Sequence, residues 1–316
     1  MGSGAFAPGL PMLAVSVVRN EIARMPFFLE YHRRLGVGRF LVVDNASDDG
    51  TAEFLKRQDD VRLFHIDESY AEAQQGVTWL NRVLNQNAVG RWVLVVDADE
   101  LFVFPMSEWA SLADLAGYAE EQGADAIEAF LLDMYGEGQI SETVLGGTAS
   151  WFETCFLFDA DTYRFPRNHP NYRLVPTAGG PRERLFWTGA ERPTQSPLLG
   201  KVPFLKWRHG LAFESSTHII DGLTPAPVTG ALLHFKLVAD MFARVEQEVT
   251  RKEHWRGAVE YSVYAEVLAA NPGLSARCES SVRFTGTDQL VQLGLMQMPL
   301  GFPEAMRRRS AEGRQP

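Results

Sequence analysis

The chain has 316 residues, enough for one large domain or one domain with an appendage. Hydrophobic residues make up 46% and charged residues 22%, the balance of a soluble globular protein. The formal net charge of -10 argues against a nucleic-acid partner held through phosphate contacts. Two cysteines, Cys155 and Cys278, stand without CxxC or Cys/His zinc spacing, which fits a reduced, cytoplasmic protein. The opening MGSGAFAPGLP has neither the basic nor the apolar part of a signal peptide. No apolar stretch exceeds strand length, so no transmembrane segment is expected.

In chain order, residues 12–18 (MLAVSVV) form a continuous apolar run rich in β-branched side chains. Such a run reads as a strand buried on both faces, as in a parallel sheet. Residues 21–35 follow as a helix closed by Gly36 and Gly38. Residues 39–43 give a second strand, 48–56 a turn and short helix, and 61–66 a third strand. Residues 72–89 give a helix with Val77, Leu80, Val83 and Leu84 as its stripe, and 91–96 a fourth strand ending on Asp97. This alternation predicts an α/β fold with a mostly parallel central sheet. Residues 126–132 read as another strand, and 136–230 as strands and long loops over the active edge. Residues 238–270 are mostly helical and end at Pro272-Gly273. The expected division is a catalytic unit over 1–237 and a mostly helical extension over 238–316 packed on it. The run Arg307-Arg308-Arg309 reads as a solvated tail, with a peripheral membrane contact as the alternative.

Ligands of such sheets bind beyond the carboxyl ends of the strands. Three polar clusters fall there: Arg19-Asn20-Glu21, Asp44-Asn45, and Asp97-Ala98-Asp99-Glu100. Asp97 and Asp99 are spaced to hold a hard divalent cation, Mn²⁺ or Mg²⁺, together with the oxygens of a diphosphate. A solvated acidic turn is the bland alternative. His234-Phe235-Lys236 follows the strand-like Ala231-Leu232-Leu233. Imidazole is a common metal ligand, and a cation beside it suits phosphate oxygens. A packed core histidine is the competing reading. His218 either orients an acceptor hydroxyl or caps a turn. Gly179 through Arg184 reads as a Gly-rich basic loop, either a mobile one over the phosphates or acceptor or an ordinary one on the surface.

The motifs VVRNE, VVDNASDDGT and VVDADE, in this order and with the later HFK, resemble the family 2 glycosyltransferases of GT-A fold. The resemblance covers residues 12–104 strongly and 176–268 more loosely. Asn45 departs from the second Asp that many members carry. The resemblance implies that Asp44 or Asn45 hydrogen-bonds the nucleobase or ribose, and that Arg19, Asn20 and Glu21 line the base pocket. It implies Asp97 near ribose and metal, Asp99 on the metal, and a C-terminal histidine, here His234, completing the site. Lys236 would assist the leaving diphosphate. Arg82 would approach the nucleotide, with a surface helix arginine equally compatible. The implied reaction is transfer of a sugar from a UDP-, GDP- or dTDP-linked donor to a saccharide or other hydroxyl acceptor, with inversion, in a setting such as surface polysaccharide or glycoconjugate synthesis.

Such a displacement needs one general base. Asp133 and Glu183 are the candidates, with a structural carboxylate in a turn as the alternative for each. A nucleotidyltransferase would place a Gly-rich basic loop after the first strand. This chain has Arg19-Asn20-Glu21 there. A non-catalytic carbohydrate-binding protein would not need Asp97, Asp99 and His234 together.

Overall fold

A computed structural model describes residues 11–166, 172–188, 194–251, 253 and 255–312. The sequence opens with β1 (Met12–Val18), α1 (Met25–Arg34), β2 (Val37–Asn45), α2 (Thr51–Lys56) and β3 (Val61–Ile66). Next come α3 (Val77–Asn87), β4 (Trp92–Val95), β5 (Glu100–Val103), α4 (Leu112–Glu121) and β6 (Ala126–Asp133). The middle holds a 3-10 turn (Ile140–Glu142), α5 (Trp151–Thr154), β7 (Leu157–Asp159), α6 (Gly180–Phe186) and β8 (Gly200–Lys206). The remainder is β9 (Gly230–His234), α7 (Asp240–Arg251), α8 (Trp255–Ala270), β10 (Ser281–Arg283), α9 (Thr287–Gln292) and α10 (Phe302–Glu312).

One eight-stranded sheet runs β3-β2-β1-β4-β8-β6-β9-β5. β3, β2, β1 and β4 are mutually parallel, as are β6 and β9. β8 runs against β4 and β6, and β5 against β9. The fold is therefore α/β with a mostly parallel central sheet. β7 and β10 form a separate antiparallel pair. The long apolar runs are buried as expected. Leu13, Val15, Leu41, Val43, Val93 and Leu94 lie in the main core, and Phe28, Leu80 and Leu84 cover it from the helices. A second core gathers Tyr135, Phe186, Leu237, Met241 and Tyr264 between α6, α7 and α8.

Helix starts move inward from the sequence reading. Asn20 takes a left-handed φ of 55°, and the turn at residues 19–24 precedes α1, whose first turn carries a proline. Gly36, at φ 103°, stops that helix, while Gly38 belongs to β2. Gln74, Gln75 and Gly76 all have positive φ, so the second long helix begins only at Val77. The Gly179–Arg184 segment is not a loop. Proline at its first turn opens α6, which buries Arg182. The arginine run is not a solvated tail either. It lies on α10 against α4, where Arg308 and Arg309 pair with Glu121 and Arg309 also donates to the Gly117 carbonyl. Among the described residues no helix is long and apolar enough to cross a membrane.

Candidate active site

The parallel strands deliver polar residues to one edge of the sheet. β1 leads into Arg19, β2 ends on Asp44 and Asn45, β4 leads into Asp97, β6 ends on Asp133 and β9 ends on His234. Strand pairing sets the finer alignment: His234 lies opposite Asp133 on one side and Glu100 on the other. β8 runs the other way, so its first residues, including Lys201, reach the same edge. A cavity of about 290 Å³ opens there. Arg19, Glu21, Asn45, Asp97, Asp99, His234 and Lys236 line its floor, and Arg244, Glu248, Arg251, Glu260 and Tyr261 of α7 and α8 form the far wall. The three motif clusters thus converge on one pocket.

The acidic turn is already partly neutralised from within. Lys201 is buried, and its Nζ donates to Asp97 Oδ2 at 2.7 Å and Glu100 Oε1 at 2.6 Å. The Asp97 amide donates to Glu100 Oε2 at 3.0 Å. Partial desolvation at the cavity wall opposes ionisation of Asp97, yet the Lys201 ammonium keeps it below its ordinary value. For Glu100 burial wins and pushes the carboxyl up to about 7, against the pull of Lys201.

His234 stands in a second chain of charges. Its Nδ1 lies 2.5 Å from Asp133 Oδ1, and Arg182 Nε donates to the same carboxylate at 2.8 Å. Asp133 stays below its ordinary value despite burial, because Arg182 and His234 stabilise the anion. An ionised Asp133 only accepts, so Nδ1–H donates and Nε2 points to the pocket, 3.4 Å from Asp99 Oδ2. Burial disfavours the imidazolium, but Asp99 and Asp133 raise the His234 pKa. Burial likewise opposes ionised Asp99, but His234, Arg24 and Lys236 hold it well below the carboxylate range.

Asp99, Glu100 and His234 offer donor atoms within 4.8 Å of one another. The sequence reading had Asp97 in that trio. The structure instead commits Asp97 to Lys201 and brings Glu100 into the group. Both Glu100 oxygens are occupied by Lys201 and the Asp97 amide, so Asp99 and His234 Nε2 are the donors that face the cavity. An imidazole held through its other nitrogen by a buried carboxylate is the arrangement that orients a metal-binding histidine. The donor set fits a divalent cation that keeps positions for substrate oxygens and water.

The remaining predicted residues divide. Arg19 lines the cavity and donates to the Asn45 carbonyl at 2.8 Å. Asn45 lines it as well, its Nδ2 held by the carbonyls of Ile66 and Glu68. Asp44 lies beneath, fully buried, with Oδ2 against His65 Nδ1 at 3.0 Å and Oδ1 without a partner. Asn20 shapes the turn by accepting from the Asp48 amide. Glu21 lines the pocket but is gripped by Arg24 and Arg244, which tie the VRNE turn to α7 together with Asp240. Lys236 sits over the rings of Tyr261 and Tyr264, at 5.1 and 5.5 Å. Arg82 is exposed on α3 and does not line this cavity.

Asp133 has no exposed surface and serves His234. Glu183 is paired with Arg164 and accepts from Ser196 and the Gly179 amide, outside the cavity. His218 accepts no charge: burial and nearby Lys201 push its pKa down to about 3, and its Nδ1 is 2.8 Å from the Gly200 carbonyl. Lys201, Arg244 and Glu260 were not singled out from sequence, and Arg182 entered only as part of the Gly179–Arg184 run. The partners of Lys201, Arg182 and Arg244 come from distant segments that only the topology brings to them.

No protein-family model matches the chain, and no curated protein does. Solved structures do align with it, among them the following three. A 4-diphosphocytidyl-2C-methyl-D-erythritol synthase is 18% identical over 45% of this chain and 69% of its own, at TM-score 0.28. A putative glucose-1-phosphate thymidylyltransferase from Bacillus anthracis, in complex with a sucrose, is 9% identical over 81% and 83%, at TM-score 0.30. HddC from Yersinia pseudotuberculosis is 7% identical over 62% and 73%, at TM-score 0.30. Superpositions this loose carry no argument, and the chemistry of the chain is read from its own cavity.

Proposed function

We propose that the protein is a metal-dependent glycosyltransferase of GT-A type that takes a nucleotide-diphosphate sugar as donor. The observation that carries the reading is the cavity at the carboxyl edge of the sheet, where Arg19 and Asn45, the Asp97–Glu100 turn, and His234 with Lys236 meet. Arg19 and Asn45 offer a guanidinium and an amide to the base and ribose. Asp99 and His234 Nε2 would hold Mn²⁺ or Mg²⁺, which when bound neutralises charge on the leaving diphosphate. Lys236 supplies a second positive charge for the diphosphate oxygens. Its pKa rises although burial opposes it, because Tyr261 and Glu260 favour the cation. Asp133 and Arg182 act as positioning residues for His234.

We take residues 1–237 as the catalytic unit and 238–316 as a helical extension. α7 and α8 of that extension supply Arg244, Glu248, Glu260 and Tyr261 to the wall, so the extension belongs to the working site. The testing experiment is a screen of UDP-, GDP- and dTDP-sugars with Mn²⁺, reading nucleoside diphosphate release alongside thermal stabilisation by the nucleotide. Ligand at about 100 times its Kd adds roughly 2.7 kcal/mol of stability. Absence of both responses for every nucleotide removes the reading. Release of pyrophosphate from a nucleoside triphosphate and a sugar 1-phosphate would convert it to nucleotidyl transfer.

A further inference from the structure

The donor cavity continues into a second, larger one of about 540 Å³, a volume within the range of small-ligand sites. Glu260 lines both. Gln75 and Ser216 join the second cavity to a small cleft that in turn shares Val17, Tyr70 and Asp97 with the donor cavity. The lining of the second cavity is of one kind. Ser196, Ser216 and Gln75 present hydroxyl and amide groups, and Pro197 and Leu198 present apolar surface. Among the described residues neither Lys nor Arg lines it. Its one imidazole, His218, is neutral under ordinary conditions, for the reasons of burial given above. Hydroxyls and amides both donate and accept, and apolar patches suit the C–H faces of a ring. An anionic ligand would find no counter-charge there.

Of the carboxylates around the donor cavity, four face cations: Glu21 faces Arg24 and Arg244, Asp97 faces Lys201, Asp99 faces His234, and Glu248 faces Arg251. Glu260 differs. Its Oε1 accepts from the Tyr264 hydroxyl, and no cation among the described residues stands within ion-pair distance of it. Lys236 and Arg182 act on it only at longer range, so the carboxylate has no cation in direct contact and faces both cavities at their seam.

We propose that the second cavity binds a neutral saccharide acceptor and that Glu260 is the general base that deprotonates its hydroxyl. The assignment rests on the glycosyltransferase reading above. As the acceptor oxygen bonds to the anomeric carbon, its proton passes to the Glu260 carboxylate. The anomeric carbon–oxygen bond to the diphosphate breaks, and the nucleoside diphosphate leaves with the electron pair. No further reactant is required.

The test uses the full chain saturated with UDP and Mn²⁺. Maltose, lactose and cellobiose are titrated separately, with glucose 6-phosphate as the anionic probe, and binding is read by saturation-transfer NMR. At least one disaccharide should bind, and Leu198→Trp, which fills the cavity, should weaken it at least tenfold while UDP·Mn²⁺ affinity holds. Gln195→Trp, at an exposed lining position, is the second variant should the first fail to fold. Glu260→Gln should retain both ligands but lower transfer to the bound disaccharide, from the donor found in the nucleotide-sugar screen, by roughly 100- to 10,000-fold. Binding of glucose 6-phosphate alone, disaccharide binding that survives the filled cavity, or UDP·Mn²⁺ binding with no disaccharide bound overturns the acceptor site. Transfer by Glu260→Gln within a few-fold of wild type overturns the base. A wild-type chain that binds no disaccharide and none of UDP, GDP or dTDP with Mn²⁺ overturns the donor reading as well.

Discussion

Lys201 offers the most direct test of how the acidic turn is held. Its ammonium is buried between two carboxylates of unequal exposure. The Asp97 side chain keeps 47% of its surface in solvent, whereas that of Glu100 keeps 1%. Replacement by Met preserves the length of the stem and removes the charge. Asp97 can then be solvated by water, so the cost falls on Glu100. Stripping one partner from a buried ion pair costs about 3–5 kcal/mol, because the other charge is left uncompensated. Unfolding entropy of about 2.1 cal/mol/K per residue gives roughly 0.66 kcal/mol/K over 316 residues. Lys201→Met should therefore lower Tm by about 5–8 °C at pH 7.5, read by calorimetry. The double variant Lys201→Met/Glu100→Gln should recover a good part of that loss, since it removes the stranded charge. A single variant that melts within a degree of wild type, or a double variant that melts no higher than the single, would refute the placement of the cost on Glu100.

Three further outcomes are expected. His32 has no exposed surface, donates from Nδ1 to the Phe28 carbonyl at 2.9 Å, and is pushed by burial from 6.5 down to about 4. A depressed histidine contributes stability that is present above the unfolded pKa and lost as pH falls through 6.5 towards 4. Between pH 7 and 5 the loss comes to about 2 kcal/mol, and His32→Gln should flatten that part of the urea-midpoint profile; an unchanged slope would contradict it. EDTA should abolish sugar transfer and Mn²⁺ or Mg²⁺ restore it, while full activity of dialysed, metal-free enzyme would remove the metal from the reaction. Asp133→Asn should weaken Mn²⁺ binding to the nucleotide complex by about 10- to 100-fold through loss of the imidazole's orientation, and His234→Ala by at least as much; titration calorimetry showing wild-type Mn²⁺ affinity in both would make the pair a packing feature only.

How far the sequence revealed this molecule depends on where each signal lies. β1 was legible because a strand buried on both faces must be an unbroken apolar run, and 12–18 is such a run; β3, at the sheet edge, shows a run broken by the exposed Arg62 and His65. β8 was not, since GKVPFLK carries two lysines and a proline, and its burial depends on Lys201 finding two carboxylates about a hundred residues earlier. α4 carries a local signal that was passed over: Ser111 and Asp114 cap it reciprocally. The motif clusters at strand ends announced the cavity-bearing edge because they follow apolar runs. Glu260 announced nothing, being one acid among several on a helix whose inward face is set by α6 and α7 rather than by its own periodicity. The arginines near the end looked solvated for a similar reason, as Glu121 is their partner only once α10 has docked on α4.

The same distance in sequence explains why the site residues also define the sheet. β9 reads GALLH and is buried along its whole length, so alternation of polar and apolar faces cannot set its register. A slip of one residue would leave Leu232 and Leu233 buried in either arrangement. Two features at its ends break the degeneracy. At Gly230 a Cβ would stand 2.5 Å from the Phe102 ring and 2.7 Å from the Val103 carbonyl, so only glycine admits β5 at that position. At the other end His234 meets Asp133 and through it Arg182, a buried polar chain that has partners in this register alone. A slipped strand would bury Asp133 beside Arg182 with no imidazole and send the histidine to the opposite face, where nothing accepts its proton. The pocket-facing Nε2 is thus a by-product of the pairing that the sheet needs in any case. The chemistry proposed for His234 and the alignment of β6, β9 and β5 rest on the same hydrogen bond, so a variant of Asp133 or His234 should change sheet stability and cation affinity together.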